Sequence, residues 1–389
     1  PRGDGFPSAA HRGDQSNTSV IYPGRAAVKF VRRLEPGIHP QVELQRHLKG
    51  SPSAPAVPRL GGLATYNVPG QKPTITAILE ELIPARYDAW TFAADELARM
   101  LEEAAASRLE PPAIPRRAHP LDAPPVPAAF RDAAGSWLEF VRELGAHTGK
   151  LHAALATSAD DPAFSAERYT PFYQRALAQA FRTQARDAFR TLRGALSTLE
   201  PATREHAEAV LELEGPILER LHAISVHPLA STRIRCHGDL HLGQVLIAGH
   251  LPVFIDFEGE SGRSLSDRRT TRSPFRDIAG MLRSFDYASR AALRDLLESQ
   301  AAGSPAGLGE WARAWRIFTS AEYLAGYLEV ATPAGIITSD GAEHRLLLDC
   351  YLLARALHEV RAELENRPTW LDFPLQGTLD LMETTPTAE

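Results

Sequence analysis

The chain of 389 residues is 44% apolar and 23% charged, with 42 Lys and Arg against 48 Asp and Glu. A net charge of −6 with both signs interspersed leaves no electrostatic footprint for nucleic acid, and no apolar run approaches the ~18 residues of a membrane span. Cys236 and Cys350 are the only cysteines, which excludes a disulfide framework and a cysteine-based zinc site and makes a reducing, cytoplasmic setting the expectation.

Residues 17–33 predict two short strands around the Pro23-Gly24 turn, the first at Thr18-Ser19-Val20-Ile21-Tyr22 and the second at Ala26-Ala27-Val28-Lys29-Phe30-Val31. Val42, Leu44 and Leu48 predict a helix over 40–48 that carries Glu43. Two further strands are expected over 62–83, stopped by Pro84. Helical composition takes over at 91–108. Seven prolines between Glu110 and Pro127 make that stretch an extended loop. Leu138, Val141, Leu144, Leu151 and Leu155 then recur near helical spacing within 129–157. Helices over 171–195 and 202–224 precede a short β-rich region. Beyond Ser273 the chain reads as helical to about Asn366, with a loop from Gly303 to Gly309 and a polar tail. The expected fold is α+β with two lobes: a small β-rich one over 1–83 and a large helical one over 84–389.

The β-rich region between helices holds the densest chemistry. His237-Gly238-Asp239 is followed by Gln244, and the run Val253-Phe254-Ile255 ends in Asp256-Phe257-Glu258. Phosphoryl transfer needs a carboxylate that orients the attacking hydroxyl, plus an amide and a second carboxylate that hold Mg²⁺ against the phosphates of ATP. Asp239 is the candidate base, and Gln244 and Asp256 supply hard oxygens for the ion. Glu258 is placed to reach a second metal or the substrate. Singly, Asp239 is also an ordinary turn residue and Asp256 an ordinary strand end; the joint spacing is what selects a site. His237 and His241 lie four apart but not on a helix, and a closed zinc site needs about four ligands. His237 is therefore read as a brace for the turn and His241 as a lining of the cleft.

Lys29 is flanked by apolar residues on its strand. In a kinase frame it contacts the nucleotide phosphates and is held by a helix glutamate, for which Glu43 is the candidate. The segment Gly13 to Ser19 opens that hairpin, and Ser16, Asn17 and Thr18 would cover the phosphates. Asp277 reads either as a helix cap or as a support for the Asp239 loop.

With these residues in place, the chain resembles the aminoglycoside-phosphotransferase-like kinases and, among them, the maltokinases. His237-Gly238-Asp239 with Gln244 and Asp256-Phe257-Glu258-Gly259-Glu260 carry the resemblance. So do Gln15-Ser16-Asn17-Thr18-Ser19-Val20, Arg32-Arg33-Leu34-Glu35-Pro36-Gly37, Arg276-Asp277-Ile278-Ala279-Gly280-Met281-Leu282-Arg283-Ser284-Phe285 and Glu363-Leu364-Glu365-Asn366-Arg367-Pro368-Thr369-Trp370. It runs from about residue 11 to residue 378. It implies ATP- and Mg²⁺-dependent phosphorylation of maltose at its anomeric hydroxyl, giving maltose 1-phosphate for α-glucan synthesis. It further implies adenine bound along Glu81 to Ile83, and acceptor contacts from His241, Glu359 and Arg361.

Two departures accompany it. The family's N-terminal cap is missing and the chain opens on Pro1, which is expected of a truncated copy or of the kinase part of a trehalose synthase–maltokinase fusion. The late helix has Arg355, His358 and Ala362 where the resemblance implies a lysine and two tyrosines. The alternatives are a kinase of another sugar, such as glucosamine, and an inert kinase-like module attached to trehalose synthase.

Overall fold

The computed structural model describes residues 9–10, 17–51, 53–157, 161–299 and 307–384. Strands β1 (Ala9–Ala10), β2 (Thr18–Tyr22), β3 (Ala26–Phe30), β4 (Leu60–Tyr66) and β5 (Thr74–Glu81) form one antiparallel sheet in the order β1-β2-β3-β5-β4. Lys29 sits between Ser19 of β2 and Ile78 of β5. Helix α1 (Pro40–Lys49) crosses beside the sheet; Pro40 suits its first turn because no intrahelical N–H is needed there. Its apolar residues Leu44 and Leu48 join the main core.

The rest is helical. Strand β6 (Tyr87–Asp88) leads into α2 (Ala89–Ser107), capped by the Asp88 carboxylate on Thr91 N at 2.7 Å. Next come α3 (Ala128–Ala134), α4 (Trp137–Ala154), β7 (Glu167–Arg168), α5 (Pro171–Ala195), α6 (Pro201–Glu212) and α7 (Glu214–Ala223). Strand β8 (Thr232–Arg233) pairs with β7, and the hairpin β9 (Val245–Ala248) and β10 (Leu251–Phe254) is extended by β6. The chain ends with α8 (Leu265–Arg268), α9 (Phe275–Ser299), α10 (Leu308–Ala331), α11 (Gly341–Asn366) and α12 (Asp372–Glu383). Trp137 of α4 stacks on Trp315 of α10 with ring centroids 5.3 Å apart, and Phe285 of α9 meets both edge-on.

The α+β, two-lobed expectation holds. Three local readings differ. The 129–157 helix is two, parted around Gly135. The 202–224 helix is likewise two, because Pro216 lacks the N–H needed to continue α6. Helix α12 was not expected, since Pro374, Gly377 and Thr378 are weak helix formers. It is held instead by packing against α6, α9 and α11, with Leu371, Phe373 and Leu375 buried.

Candidate active site

The loop that carries Asp239 is fixed from below. Ser273 Oγ accepts from Phe275 N at 3.3 Å, which leaves Asp277 free to face the loop. Its carboxylate accepts from His237 N at 2.7 Å, Gly238 N at 2.8 Å and His152 Nε2 at 3.0 Å. Asp277 is fully buried. Burial alone would raise its pKa, but the hydrogen bond and charge of His152, the charge of His237 and the Gly238 N–H hold it below the ordinary carboxylate value. Gly280 lets α9 press against the same loop: a Cβ there would stand 2.4 Å from the Leu240 carbonyl. Beneath the loop, His152, Cys236 and Asp277 form a buried trio satisfied by the protein itself, the single Cys236 S–H having the Ser273 carbonyl at 3.5 Å and those of Ile234 and Arg272 at 3.7 Å as acceptors within reach.

His237 binds the loop to the second acidic segment. Its Nε2 meets the Ile255 carbonyl at 2.8 Å and, because a carbonyl only accepts, carries the proton. Ile255 N in turn donates to the Gln244 carbonyl at 3.0 Å. Asp256 adopts φ 62°, a left-handed conformation that Asp tolerates better than most residues. One of its oxygens accepts from Lys29 Nζ at 2.5 Å and the other from Gln244 Nε2 at 3.3 Å. Lys29 also reaches Glu258 at 3.1 Å and Gln41 Oε1 at 3.0 Å. Burial would lower the Lys29 pKa, yet Asp256, Glu258 and Glu80 together hold it above the ordinary lysine value. Gln41 and Gln45 both donate to Glu80, whose carboxyl is nevertheless raised because burial outweighs Lys29 and the two amides. Asn17 is buried and its amide donates to both oxygens of Glu258, at 2.6 and 2.7 Å.

Several expected residues fall elsewhere. Glu43 does not hold Lys29; Gln41 does. The two positions are about 200° apart around a helix, so Glu43 turns to the large lobe and pairs with Arg235 at 2.9 Å and Arg269 at 2.5 Å. Burial would raise its pKa, but these arginines lower it. Glu43 also lines a cavity of about 680 Å³ that involves Val42, Arg46 and Leu63 and none of the catalytic loop. Arg361 does not face the cleft: its exposed side chain pairs with Glu365 at 2.9 Å. Glu81 pairs outward with Arg59 at 2.8 Å, and the Ile83 carbonyl closes a turn with Ala85 N at 2.9 Å. Thr18 Oγ1 accepts from Arg32 at 3.0 Å, and Ser16 lies outside the described residues.

Asp239 has one hydrogen-bond partner among the described residues, Arg355 Nη1 at 3.1 Å from Oδ1. Burial would raise this carboxyl; Arg355, His241 and His237 draw it down to about 2. Beside it opens a cavity of about 430 Å³ lined by His241, Arg355, Glu359, Glu363, Trp90 and Trp370. Glu359 accepts from Arg355 at 3.1 Å and Arg283 at 2.9 Å, and Glu363 from Tyr287 at 3.2 Å and Arg367 at 2.7 Å. Arg283, Glu363 and Trp370 had no site role assigned from sequence, although the blocks containing them had been singled out. The available signal was the four-residue step Arg355, Glu359, Glu363, Arg367, which marks one helical face and leaves Arg361 off it.

A small sheet lobe with a lysine, a large helical lobe with a braced Asp loop and an acidic segment after a hairpin define the two-lobed kinase-like class. Comparison with known proteins narrows the likeness. No family model matches the chain. The glucosamine kinase of Mycolicibacterium smegmatis is 28% identical over 282 residues, covering 72% of this chain and 59% of that one. The glucosamine kinase of Streptacidiphilus jiangxiensis is 26% identical over 374 residues, covering 95% and 72%. A glucosamine kinase structure (crystal form B) superposes with a TM-score of 0.67 at 21% identity, over 97% of this chain and 77% of that chain. Another, in complex with glucosamine, ADP and inorganic phosphate, gives the same TM-score and identity over 96% and 76%. The chain thus shares the glucosamine kinase fold while spanning only part of each relative's length.

Proposed function

We propose that this chain is an ATP-dependent kinase of a sugar hydroxyl, with an amino sugar such as glucosamine as acceptor. The observation that carries the reading is the convergence of Lys29, Asp239, Gln244 and Asp256, drawn from both lobes, beside the cavity under α11. Similarity to two glucosamine kinases supports that acceptor over maltose.

Asp239 accepts the hydrogen bond of the acceptor hydroxyl and then its proton as the oxygen attacks the γ-phosphorus; the bond to the bridging oxygen breaks and ADP leaves. Lys29 moves from Asp256 and Glu258 to the phosphate oxygens and offsets their charge. Asn17 and Thr18 would cover the phosphates from the start of the β2–β3 hairpin, and adenine would lie along the backbone of Glu81 to Ile83, the Glu81 side chain turning outward to Arg59. The two oxygens of Asp256 and the amide oxygen of Gln244 are hard donors that suit Mg²⁺, with Glu258 adjacent. When bound, the ion would draw charge from the β- and γ-phosphate oxygens. Trp90 and Trp370 give the cavity aromatic walls, the Trp370 ring being packed by Arg294 and Arg367 at 5.0 and 5.1 Å, and Glu359 and Glu363 supply acceptors for hydroxyls or an ammonium group.

Maltose is the second reading. It is favoured by the sequence blocks shared with maltokinases, and with it would go α-glucan synthesis and association with a trehalose synthase. A coupled ADP-release assay with glucosamine, glucose and maltose, each with and without Mg²⁺, decides between them. Turnover with glucosamine should exceed that with maltose by at least about tenfold. A larger rate with maltose overturns the acceptor, and turnover with no sugar overturns the kinase. Asp239→Asn should lower kcat about 10³-fold while nucleotide affinity, measured by calorimetry, stays within about twofold; a wild-type rate refutes the assigned base.

A further inference from the structure

We propose that Arg355 is a positioning residue for the transfer: it locks the Asp239 carboxylate with one oxygen left for the acceptor hydroxyl, and ties that base to Glu359 in the acceptor cavity. The inference deepens the kinase reading and rests on it.

Arg355 reaches Asp239 Oδ1 through Nη1 and Glu359 Oε1 through Nε, each at 3.1 Å. Asp239 Oδ2 has no hydrogen-bond partner among the described residues. One planar guanidinium therefore spans both carboxylates, a task suited to its fixed fork; the single ammonium of a lysine does not reproduce it. The far end of the chain of contacts is anchored. Glu359 Oε2 accepts from Arg283 Nε, and Arg283 Nη1 donates to Asp286, both at 2.9 Å. Arg283 is itself confined, since it packs where Gly377 has no side chain: a Cβ there would lie 2.3 Å from its Nη1. Arg355 also lines both the cavity of about 80 Å³ beside Asp239 and that of about 430 Å³ beneath α11, so it stands where the reacting hydroxyl enters.

The groups around Asp239 leave this assignment little competition. His237 and His241 sit on its own loop, and Asp256 faces it from the segment after β10 with repulsive charge. His358 of α11 is held below the ordinary histidine value, burial being the main cause. Glu260 and Arg276 line the small cavity but pair with each other at 2.7 Å. Among the described residues Arg355 alone donates to the base, and it is first among the charges that hold this carboxyl at about 2.

The test is a double-mutant cycle in turnover with the full chain and whichever sugar gives the highest rate. Arg355→Met should lower kcat by about 30- to 100-fold with KM for ATP unchanged. In the Asp239→Asn background the same substitution should cost less than about twofold, because its effect runs through Asp239. Arg355→Lys keeps the charge and guards against a misfolded methionine variant; it should still lose about tenfold in kcat. Equal losses in both backgrounds, a change confined to KM, or a wild-type kcat in Arg355→Lys each overturn the assignment. Those outcomes leave the kinase reading intact. A wild-type chain that turns over no sugar overturns both.

Discussion

The loop that carries Asp239 rests on a buried carboxylate, Asp277, whose three donors all belong to the large lobe. Lys29 of the small lobe is held instead by Asp256 and Glu258 from across the cleft and by Gln41 from its own side. Two of the donors to Asp277 are backbone N–H groups, of buried His237 and half-buried Gly238, with no other acceptor among the described residues, so that loop is held by groups that substrate does not replace. Under the proposed function, phosphate oxygens would take the place of the carboxylates on Lys29. The acceptor side of the site would then be preorganised, and the nucleotide side held by replaceable charge.

The sharpest way to break this comparison is Asp277→Ala. It strands two N–H groups and His152, so unfolding in denaturant should show a loss of about 3–5 kcal/mol. A loss below about 1 kcal/mol would mean that the loop is supported elsewhere. The next effect separates two residues of α1. Gln41→Leu should raise KM for ATP about tenfold by removing one of the three groups that place Lys29, whereas Glu43→Gln, whose carboxylate pairs with Arg235 and Arg269, should change it less than about twofold. Similar effects from the two would undo the assignment of the lysine partner.

The smallest effect is the sign of the pH dependence. The Asp277 pKa is depressed, so its stabilisation is present above the unfolded carboxylate value and lost as pH falls through the folded one. The stability deficit of Asp277→Asn should therefore shrink on acidification below the ordinary value of 3.8. The Glu80 pKa is raised by burial, so its stabilisation is present below its ordinary 4.5 and lost as pH rises. Glu80→Gln should gain on the wild type as pH rises above that value. Denaturant midpoints measured across acid and neutral pH check both slopes; slopes of the same sign would show that the two carboxylates are not held differently.

The strands around Pro23-Gly24, the proline-rich segment and the α5 and α9 helices were legible because turn chemistry and short-range periodicity specify them. So was the grouping of Asp239, Gln244 and Asp256, which a single hairpin brings together. Helix α12 was hidden because tertiary packing overrides the weak propensity of Pro374 and Gly377. Glu43 was misread because nearness in sequence says nothing about which face of a helix is turned inward. Arg361 failed for the same reason: it shares α11 with Arg355 and Glu359 but not their face.

The sequence alone therefore determined a sheet lobe followed by a helical lobe, and a short acidic region whose spacing suits phosphoryl transfer. Both are written in interactions between residues close along the chain. Only the tertiary structure decided that Gln41 holds Lys29, that Asp277 carries the Asp239 loop, and that Arg355 reaches Asp239 across 116 positions. Those pairings depend on how helices rotate to bury their apolar faces, and that rotation is set by the whole core at once.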